Sequence, residues 1–396
     1  MRVLQINSVY GKGSTGRIVK DCEELFADYG IETFVLTGEG KFDADNVYVT
    51  NTPFTQKLSI LMTRLFGRHG FYNKLATKRA LKFIDEVSPD VVNLHNIHGH
   101  YINIDILFRY LRRKGIPVVW TLHDCWAFTG HCPHFDYAGC EGWKNGCGKC
   151  PLRRGYPDSW FFDRSKRNLK DKRRIFTSLE RMHIVTPSNW LTNLAKQSFL
   201  GKYPVTTIHN GVDTDAFKPR ESDIREKLGL KDKFIYLGIV SSFSSTKGGR
   251  YFLELSELLR EDEHIVLLSL EDRNTEIPRN ITVLPRTNSV EELSEVYSMA
   301  DVFINPTLQD TFSMINVEAL ACGVPVVTFK TGGCAESLTE ECGALVPQGD
   351  TKGLYESAQE IRQGKIKKEA CRQRGLEFDR KVRFNEYINI YKELLN

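Results

Sequence analysis

Residues 302–329 decide the fold, and they read VFINPTLQDTFSMINVEALACGVPVVTF. The apolar run at residues 302–304 and the β-branched run at residues 326–329 each have the length and composition of a buried strand. Between them, residues 312–322 carry apolar side chains at helical spacing. Neighbouring parallel strands need a long crossover connection, usually a helix, whereas a tight turn joins antiparallel strands. The helix-long connection here therefore favours parallel pairing of the two strands. This stretch therefore predicts a strand–helix–strand unit of a parallel sheet.

The same alternation of short apolar runs and longer amphipathic stretches extends over the whole chain. In the first half we predict strands at residues 3–6, 33–36, 91–94, 118–122, 183–186 and 205–208. In the second half we predict further strands at residues 234–237, 265–269 and 281–284. Helical patterns lie between most of them, among them residues 17–29, 104–114, 189–199, 249–260 and 290–299. Such alternation is typical of α/β domains whose parallel sheets are covered by helices on both faces.

The alternation is interrupted at residues 210–219, which read NGVDTDAFKP. Glycine, proline and short polar residues favour turns over a continuing helix or strand. We therefore predict two Rossmann-like, doubly wound domains, the first at residues 1–208 and the second at residues 219–375. Residues 376–396 have a helical pattern and are predicted to pack back on the first domain. Because open α/β sheets bind ligands beyond the carboxyl ends of their strands, we expect the two domains to face a central cleft.

The net charge of +4 on 396 residues is small and does not indicate a nucleic-acid-binding protein. Its distribution is uneven, since residues 56–82 carry seven basic side chains and no acidic one, and residues 151–174 carry nine basic and three acidic ones. Solvated helix faces are one interpretation, and attraction to an anionic membrane surface is the other. No apolar run is long enough to span a bilayer, and residues 1–7 lack the apolar core of a signal peptide. We expect a cytoplasmic protein, peripheral at the inner face of the membrane.

Gly11-Lys12-Gly13-Ser14-Thr15-Gly16 has the spacing GxGxxG directly after the first predicted strand. The pattern is typical of dinucleotide-binding domains and suggests an NAD-dependent oxidoreductase, with Glu39 as the ribose ligand. The same pattern suits other ligands as well, because glycines let the backbone approach any ligand and a helix N-terminus favours any anion. A tight strand-to-helix turn without a ligand makes the same demands. The pattern alone does not choose between a dinucleotide, a nucleotide sugar and a structural turn.

Three charged residues of the second half follow predicted strands, where a ligand of such a sheet lies. Lys247 stands beside two glycines and before a predicted helix, a setting that suits a diphosphate. Asp310 follows the strand at residues 302–304, in a loop or helix cap, and Glu318 lies eight residues further on. Two acidic residues at this spacing are also found as a helix cap and a solvated position. The surrounding sequence has to distinguish a ligand site from a cap.

That surrounding sequence resembles family 4 of the retaining glycosyltransferases, which have the GT-B fold. The family's donor motif is E-x7-E followed by A-x-A-x-G-x-P-V-V and a G-G-x-x-E turn. Matching stretches are Asp310 to Glu318, then Ala319-Leu320-Ala321-Cys322-Gly323-Val324-Pro325-Val326-Val327, and then Gly332-Gly333-Cys334-Ala335-Glu336. Asn210-Gly211-Val212-Asp213 and Lys247-Gly248 extend the resemblance, which covers nearly the whole chain. Within the family the chain is similar to bacterial glycosyltransferases of exopolysaccharide and colanic acid type.

The resemblance implies roles for residues of the second half. Lys247 would contact the donor diphosphate, Asp310 the transferred sugar and Glu318 the ribose. Arg286 stands where family members hold the nucleobase, and backbone amides would line the sugar and phosphate. The implied donor-binding residues are Gly13, Gly16, Lys247, Arg286, Phe312, Ser313, Met314 and Glu318. Two departures are that the first acid is Asp310 rather than Glu, and that residues 238–242 lack the arginine of the family's G-R-x5-K-G pattern.

In the first half, Val118-Val119-Trp120-Thr121-Leu122-His123-Asp124 delivers an imidazole to the end of a predicted strand. A histidine there is often structural, but His123 matches the family's strand-end histidine. The resemblance implies that His123 and Asp310 act in transfer with retention, His123 by positioning the sugar and stabilising developing charge. His95 and Asn96 end a neighbouring strand and are predicted to line the acceptor side. Asp43-Ala44-Asp45 and Asp213-Thr214-Asp215 fall in a loop and at the domain break, so no catalytic metal site is predicted.

Five of the ten cysteines lie within 26 residues, directly after His123. Cys132, Cys140, Cys147 and Cys150 have the spacing C-x7-C-x6-C-x2-C, which can satisfy a tetrahedral Zn²⁺ site. His131 or His134 could replace one of these cysteines as a zinc ligand, and Cys125 would then be a fifth thiol that is not needed for the site. An iron–sulfur cluster, disulfides and free thiols are the alternatives. A structural zinc ion would brace an insertion at about residues 125–151.

These observations together predict a retaining glycosyltransferase of hexosyltransferase type that needs no metal ion for catalysis. The donor is expected to be a UDP- or GDP-sugar and the acceptor a polysaccharide or lipid-linked glycan. An NAD-dependent oxidoreductase is the alternative from another enzyme class, although it leaves the run from Asp310 to Glu336 unexplained. A non-catalytic protein that binds a sugar nucleotide is the remaining alternative, because each assigned contact would serve binding equally well.

Overall fold

The computed structural model describes residues 1–244, 246–268, 271 and 275–396. The chain divides into a first domain, Met1–His209 with Arg383–Asn396, and a second domain, Asn210–Val382. The residues predicted to link the domains, 210–219, thus belong to the second one. The predicted end of a strand at residue 269 lies outside the described residues.

The first domain contains a parallel sheet of seven strands in the order β3-β2-β1-β4-β5-β6-β7. Its strands are β1 (Arg2–Asn7), β2 (Glu32–Thr37), β3 (Val47–Val49), β4 (Val91–Leu94), β5 (Val118–Thr121), β6 (Met182–Thr186) and β7 (Val205–Thr207). Its helices are α1 (Gly13–Asp28), α2 (Pro53–Phe66), α3 (Lys74–Val87), α4 (Ile104–Lys114), α5 (Gly142–Asn145), α6 (Ser165–Phe176) and α7 (Asn189–Gln197). Central strands such as β4 and β5 are buried along their whole length, as continuous apolar runs in a parallel sheet require.

The second domain contains a parallel sheet of six strands in the order β10-β9-β8-β11-β12-β13. Its strands are β8 (Phe234–Ile239), β9 (Glu263–Leu268), β10 (Ile281–Leu284), β11 (Val302–Asn305), β12 (Val326–Phe329) and β13 (Gly343–Val346). Its helices are α8 (Ile224–Lys227), α9 (Arg250–Ser256), α10 (Val290–Ser298), α11 (Met314–Ala321), α12 (Thr351–Arg362) and α13 (Lys368–Leu376). The prediction from residues 302–329 is confirmed, because β11 and β12 pair in parallel, with Phe303 opposite Val326.

Helix α4 shows how local sequence sets these elements. Its N-cap Asn103 accepts a hydrogen bond from the backbone N–H of Ile106, which satisfies a helix-start donor. Gly115 ends the helix in the left-handed conformation at φ 65°, which glycine adopts without the penalty of a side chain. The apolar side chains of Leu107 and Leu111, four residues apart, are buried in the core of the first domain. Burial of each such side chain contributes about 1.5–3 kcal/mol.

The last helix, α14 (Arg380–Leu395), packs mainly on the first domain. Phe384, Tyr387 and Tyr391 are buried in one apolar cluster with Val3 of β1 and Phe26 of α1. The hydroxyl groups of Tyr387 and Thr121 lie 3.3 Å apart. None of the described helices is both long and apolar enough to cross a membrane.

Both sheets reverse their strand order once, and this position places the candidate sites. In the first domain the reversal lies between β1 and β4, and in the second between β8 and β11. At such a switch point the loops after adjacent strands leave in opposite directions and open a crevice at their carboxyl ends. The glycine-rich residues 11–16 follow β1, and Lys247 follows β8.

Candidate functional site

At the switch point of the second domain, Lys247 and Asp310 form an ion pair. Lys247 Nζ lies 2.9 Å from Asp310 Oδ2 and 3.3 Å from the carbonyl oxygen of Gln309. The Lys247 side chain is 47% exposed and that of Asp310 is 19% exposed. Burial disfavours the charged lysine, but the attraction and hydrogen bond of Asp310 outweigh it, so the pKa of Lys247 is raised. The pair therefore presents a permanent positive charge beside a carboxylate.

Two glycines bring the loops that carry this pair close to their neighbours. Gly248 has φ 84°, and a Cβ atom there would lie 1.9 Å from the carbonyl oxygen of Pro306. Gly332 has φ 49°, and a Cβ atom there would lie 1.9 Å from the carbonyl oxygen of Asp310. No side chain can be accommodated at such distances. Gly248 and Gly332 are thus required by backbone packing around the ion pair.

Asp310 lies in the loop before α11, four residues ahead of its first residue, Met314. The interpretation of Asp310 as a loop residue is correct, and the helix predicted at residues 312–322 is shorter at both ends. Ser313 precedes α11 without a side-chain cap, because its Oγ accepts a hydrogen bond from Asn305 Nδ2 at 2.9 Å. Asn305 Nδ2 also donates to Asn316 Oδ1 at 2.7 Å. This buried network fixes the start of α11 and leaves its first amides uncapped by Ser313.

The other residues predicted to bind the donor lie in different settings. Glu318 is only 2% exposed on α11, and its Oε2 accepts a hydrogen bond from Tyr297 Oη at 2.9 Å. Phe312 is buried in the core of the second domain, so its backbone rather than its ring is available to a polar ligand. Arg286 is exposed, two residues beyond the edge strand β10. The ribose and nucleobase contacts of Glu318 and Arg286 stay predictions.

In the first domain, residues 11–16 cover the end of the turn after β1 and the first residues of α1, which begins at Gly13. Gly11 and Gly13 have φ 67° and 61°, and the Gly11 N–H donates to the Gly16 carbonyl at 2.9 Å. A Cβ atom on Gly16 would meet the Val9 side chain at 3.2 Å, which is a tight contact. A Cβ atom on Gly13 would meet no atom within 4 Å. Gly13 therefore allows the positive φ of the backbone and leaves open space beside it for a ligand. Gly16 instead allows the helix to pack closely against Val9.

The ends of β4 and β5 bring His95 and His123 into contact. His95 Nδ1 lies 2.9 Å from His123 Nε2, and His95 Nε2 lies 2.9 Å from both Gln5 Oε1 and Asn93 Nδ2. The Gln5 amide is oriented by a hydrogen bond from Nε2 to the carbonyl oxygen of Val19. His95 is 1% exposed with both ring nitrogens bonded, so it supports His123 from behind. The acceptor contact predicted for His95 stays a prediction, as does that of the partly exposed Asn96.

The orientation of Gln5 assigns the protons in this chain. With Gln5 Oε1 as acceptor, His95 Nε2 carries a proton, His95 Nδ1 accepts, and His123 Nε2 donates. This requires the Asn93 amide to turn its oxygen toward His95. Burial lowers the pKa of His123 to about 4, outweighing the opposing effect of Asp124, and it lowers the pKa of His95 well below its usual range. Both imidazoles are therefore neutral at pH 7, and His123 Nδ1 is a hydrogen-bond acceptor.

Beside this pair, His98 Nε2 lies 2.7 Å from Asp124 Oδ2. Asp124 Oδ1 accepts a hydrogen bond from the Trp126 N–H at 2.8 Å. Burial opposes ionisation of Asp124, but His98 and the Trp126 N–H outweigh it and bring its pKa to about 2. The ionised carboxylate fixes the loop that follows His123.

The four cysteines predicted as metal ligands come together in the first domain. Cys132, Cys140, Cys147 and Cys150 line one small cavity, which His131 also lines. All ten cysteines are free thiols. Among the described residues, no three side chains of the metal-binding types are already arranged around a common metal position. The zinc ion expected from the spacing stays a prediction.

The two basic segments of the sequence, residues 56–82 and 151–174, also meet in the first domain. The Trp160 N–H donates to the Arg64 carbonyl at 2.7 Å, and Arg68 forms an ion pair with Asp171 at 2.7 Å. Asn168 Nδ2 donates to the Gly67 carbonyl at 2.8 Å. A cavity of about 580 Å³ beside α6 is lined by six basic side chains, which are Lys144, Arg164, Lys166, Arg167, Lys170 and Arg173. We call the two segments together the basic face.

Comparison with known proteins identifies the class of protein that this fold and these residues define. Residues 15–216 match Glycosyltransferase Family 4, and residues 233–363 match Glycosyl transferases group 1. The chain belongs to glycosyltransferase family 4, and the oxidoreductase alternative is not retained.

Individual relatives agree with this assignment. The chain is 26% identical over the full length of both sequences to a protein of Escherichia coli K12 named as a colanic acid biosynthesis glycosyl transferase, WcaC. Its fold is similar to sucrose-phosphate synthase of Thermosynechococcus elongatus, with a TM-score of 0.73 at 15% identity over 99% of this chain and 98% of the other. It is also similar to Anabaena HepE in complex with UDP-glucose, with a TM-score of 0.67 at 15% identity over 99% of each chain. The fold is GT-B, as the resemblance implied.

Sequence reasoning missed the residues that support the site. Gln5 and Asn93 orient His95, and Asn305 and Asn316 brace the loop of Asp310. Each is a polar residue within or next to an apolar run of the sequence. Because a buried polar side chain requires a partner, such interruptions are a usable signal for supporting networks.

Proposed function

We propose that the protein transfers a sugar from a UDP- or GDP-sugar to a polysaccharide or lipid-linked glycan, with retention of anomeric configuration and without a catalytic metal ion. The observation that carries the proposal is the Lys247–Asp310 ion pair at the switch point of the second domain. A half-exposed cation suits the donor diphosphate, and the neighbouring carboxylate suits the hydroxyl groups of a sugar. The amides at the start of α11 add donors for phosphate.

In the proposed reaction, the bond between the anomeric carbon and the donor phosphate oxygen breaks. A bond from the acceptor hydroxyl oxygen forms on the same face of the sugar, and the hydroxyl proton passes to the departing phosphate. Lys247 offsets the negative charge that develops on the diphosphate. His123 positions the sugar by accepting a hydrogen bond at Nδ1, a role supported by its neutral state.

The substrate classes are inferred from relatives. The relative named for colanic acid biosynthesis matches the chain along its full length, which supports an exopolysaccharide acceptor. HepE is titled as a complex with UDP-glucose, which supports a nucleotide-sugar donor. Within the donor site, Glu318 is proposed to bind the ribose and Arg286 to lie beside the base.

A transfer assay with the variants His123→Ala and Glu318→Ala tests the proposal. We expect both to lose transfer from the donor to the acceptor. His183→Gln is a matched control, because His183 lies on β6 and bonds only to Thr206 among its described neighbours. Retained turnover in both alanine variants would refute the site. Donor binding without transfer by the wild-type protein, with any acceptor glycan, would favour the non-catalytic alternative.

We further propose that the basic face contacts an anionic membrane surface peripherally. Its support is the combination of cations with exposed apolar side chains, since Leu75 is 76% and Phe161 66% exposed. On α2, Phe54, Leu58 and Leu61 lie on one face of the helix, and all three are exposed. An apolar stripe of this kind normally faces the core of a domain. Basic residues beside an exposed apolar stripe are typical of helices that lie in the membrane interface.

Co-sedimentation with phosphatidylglycerol vesicles and with phosphatidylcholine vesicles tests this contact. We expect binding to the anionic vesicles only, and a loss of about tenfold or more in the variant Phe54→Ser/Leu58→Ser. Val382→Ser, at an exposed apolar residue outside the basic face, should bind normally. Equal binding of all three proteins, or no binding to anionic vesicles, would contradict membrane contact.

A further inference from the structure

We propose that Cys132, Cys140, Cys147 and Cys150 bind one structural Zn²⁺ ion in the first domain. The four side chains line one small cavity together with His131, and all four are free thiols. Four soft sulfur ligands, two of them from a C-x2-C turn, are the ligand set of a closed tetrahedral zinc site. Such a site has no position for water, so its role is to hold the fold.

The surrounding segment needs such a brace. Between Thr121 at the end of β5 and Ser165 at the start of α6, the regular structure consists of α5 and two short 3₁₀ turns, Trp126–Phe128 and Asp136–Ala138. Long irregular segments are uncommon in compact domains unless something holds them. A metal ion bound at four points along residues 132–150 would cross-link this segment, much as disulfides do in secreted domains.

The turn between Cys147 and Cys150 is built for ligation. Gly146, Cys147, Gly148 and Lys149 all have positive φ, at 105°, 54°, 110° and 49°. For the two residues that are not glycine, this conformation is unfavourable. Such strain persists where the surroundings hold it in place. Binding of both sulfurs to one ion would hold this turn.

Hydrogen-bond donors lie beside two of the sulfurs. The backbone N–H groups of Gly130 and Leu152 hydrogen-bond to the sulfurs of Cys147 and Cys150. Lys172 is 1% exposed and donates to the carbonyl oxygens of Trp126 and Thr129, at 2.7 and 3.1 Å. Among the described residues no carboxylate pairs with it. Cys132 and Cys147 are near enough to act on Lys172 electrostatically, so a thiolate site would give this buried amine a negatively charged neighbour.

The cavity also contains an unsatisfied ligand atom. His131 is 6% exposed, and its Nε2 has no hydrogen-bond partner among the described residues. This nitrogen is therefore the alternative fourth ligand if one of the four sulfurs does not bind. Since the sulfurs are not already arranged around a common position among the described residues, binding would draw them together. We assign the four sulfurs as ligands and His131 as a neighbour of the site.

The first experiment is elemental analysis of the full-length protein, purified under reducing conditions without chelator, followed by X-ray absorption at the zinc edge. We expect one zinc ion per chain and a first shell of four sulfurs at about 2.3 Å. A shell of three sulfurs and one nitrogen would make His131 a ligand and overturn the four-thiolate assignment. Absence of zinc with ten titratable thiols, disulfides by mass spectrometry, or bound iron and sulfide would overturn the zinc site.

A second experiment compares the variants Cys147→Ser/Cys150→Ser and Cys125→Ala. Cys125 is buried in the same segment, but it does not line the cavity. We expect the double variant to lose at least tenfold in zinc content while Cys125→Ala keeps one ion per chain. If the double variant does not fold, release of zinc from the wild-type protein is followed during titration of its thiols with a mercurial reagent. Zinc release that does not accompany the modification of four thiols would contradict the proposal.

Discussion

The two switch points of this glycosyltransferase use opposite electrostatics. In the first domain, buried imidazoles form a neutral chain from Gln5 through His95 to His123. In the second domain, Lys247 and Asp310 form a partly exposed ion pair. Nine of the ten histidines belong to the first domain, and His264 is the tenth. A neutral chain can orient a group without attracting ions, whereas the half-exposed ammonium of the ion pair can bind a phosphate. The same fold thus supplies positioning in one domain and charge in the other.

The largest effect is expected when the second switch point loses its cation. Lys247→Ala should lower kcat/KM by about a hundredfold or more, because the diphosphate loses a charge-assisted partner in both the bound state and the transition state. Lys352→Ala, at an exposed lysine of α12 paired with Glu356, is the matched control and should keep wild-type activity. Steady-state kinetics with varied donor decides this, and equal kcat/KM in both variants would remove Lys247 from the site.

The histidines should make the first domain sensitive to acid. Burial lowers the pKa of His100 and His123 to about 4, below the value near 6.5 of an unfolded chain. Below pH 6.5 the unfolded state therefore binds more protons than the folded state. The free energy of unfolding keeps its full value above pH 6.5 and decreases as the pH falls toward 4. At pH 5 one such histidine costs about 2 kcal/mol of unfolding free energy.

All five tryptophans lie in the first domain, so their fluorescence reports its unfolding. Urea unfolding followed by tryptophan fluorescence at pH 7.5 and pH 5 should show a lower unfolding free energy at pH 5. Unchanged stability between the two values would mean that the histidines are not buried as neutral imidazoles.

A smaller effect is expected from His95, which acts through His123. His95→Gln should lower kcat on the order of tenfold and leave the KM for the donor nearly unchanged, because the orientation of His123 depends on its hydrogen bond to His95. His183→Gln serves as the control in the same domain. If kcat and KM of His95→Gln match those of the control, the positioning role is wrong.

The sequence predicted the central strands of both sheets because parallel strands are continuous apolar runs, and α4 and β10 have the predicted bounds. It missed β3 and β13, which lie at the edges of the two sheets and are only partly buried. It did not predict α2, whose apolar stripe is exposed rather than buried. At the site, the motif residues Lys247 and Asp310 were predicted individually, and their ion pair was not. The partners of His95 were not predicted either, because contacts between Gln5 and His95 span 90 residues and depend on strand order, which the sequence pattern does not specify.

The central claim is that the second domain binds a nucleotide sugar through Lys247. Thermal unfolding of the full-length wild-type protein, Lys247→Ala and Lys352→Ala, each with UDP, GDP, ADP and their sugars, tests it most directly. We predict that a UDP or GDP compound raises the Tm of the wild-type protein and of Lys352→Ala, and that Lys247→Ala needs at least tenfold more ligand for the same shift. Equal shifts in all three proteins, or no shift with any nucleotide sugar, would contradict the claim.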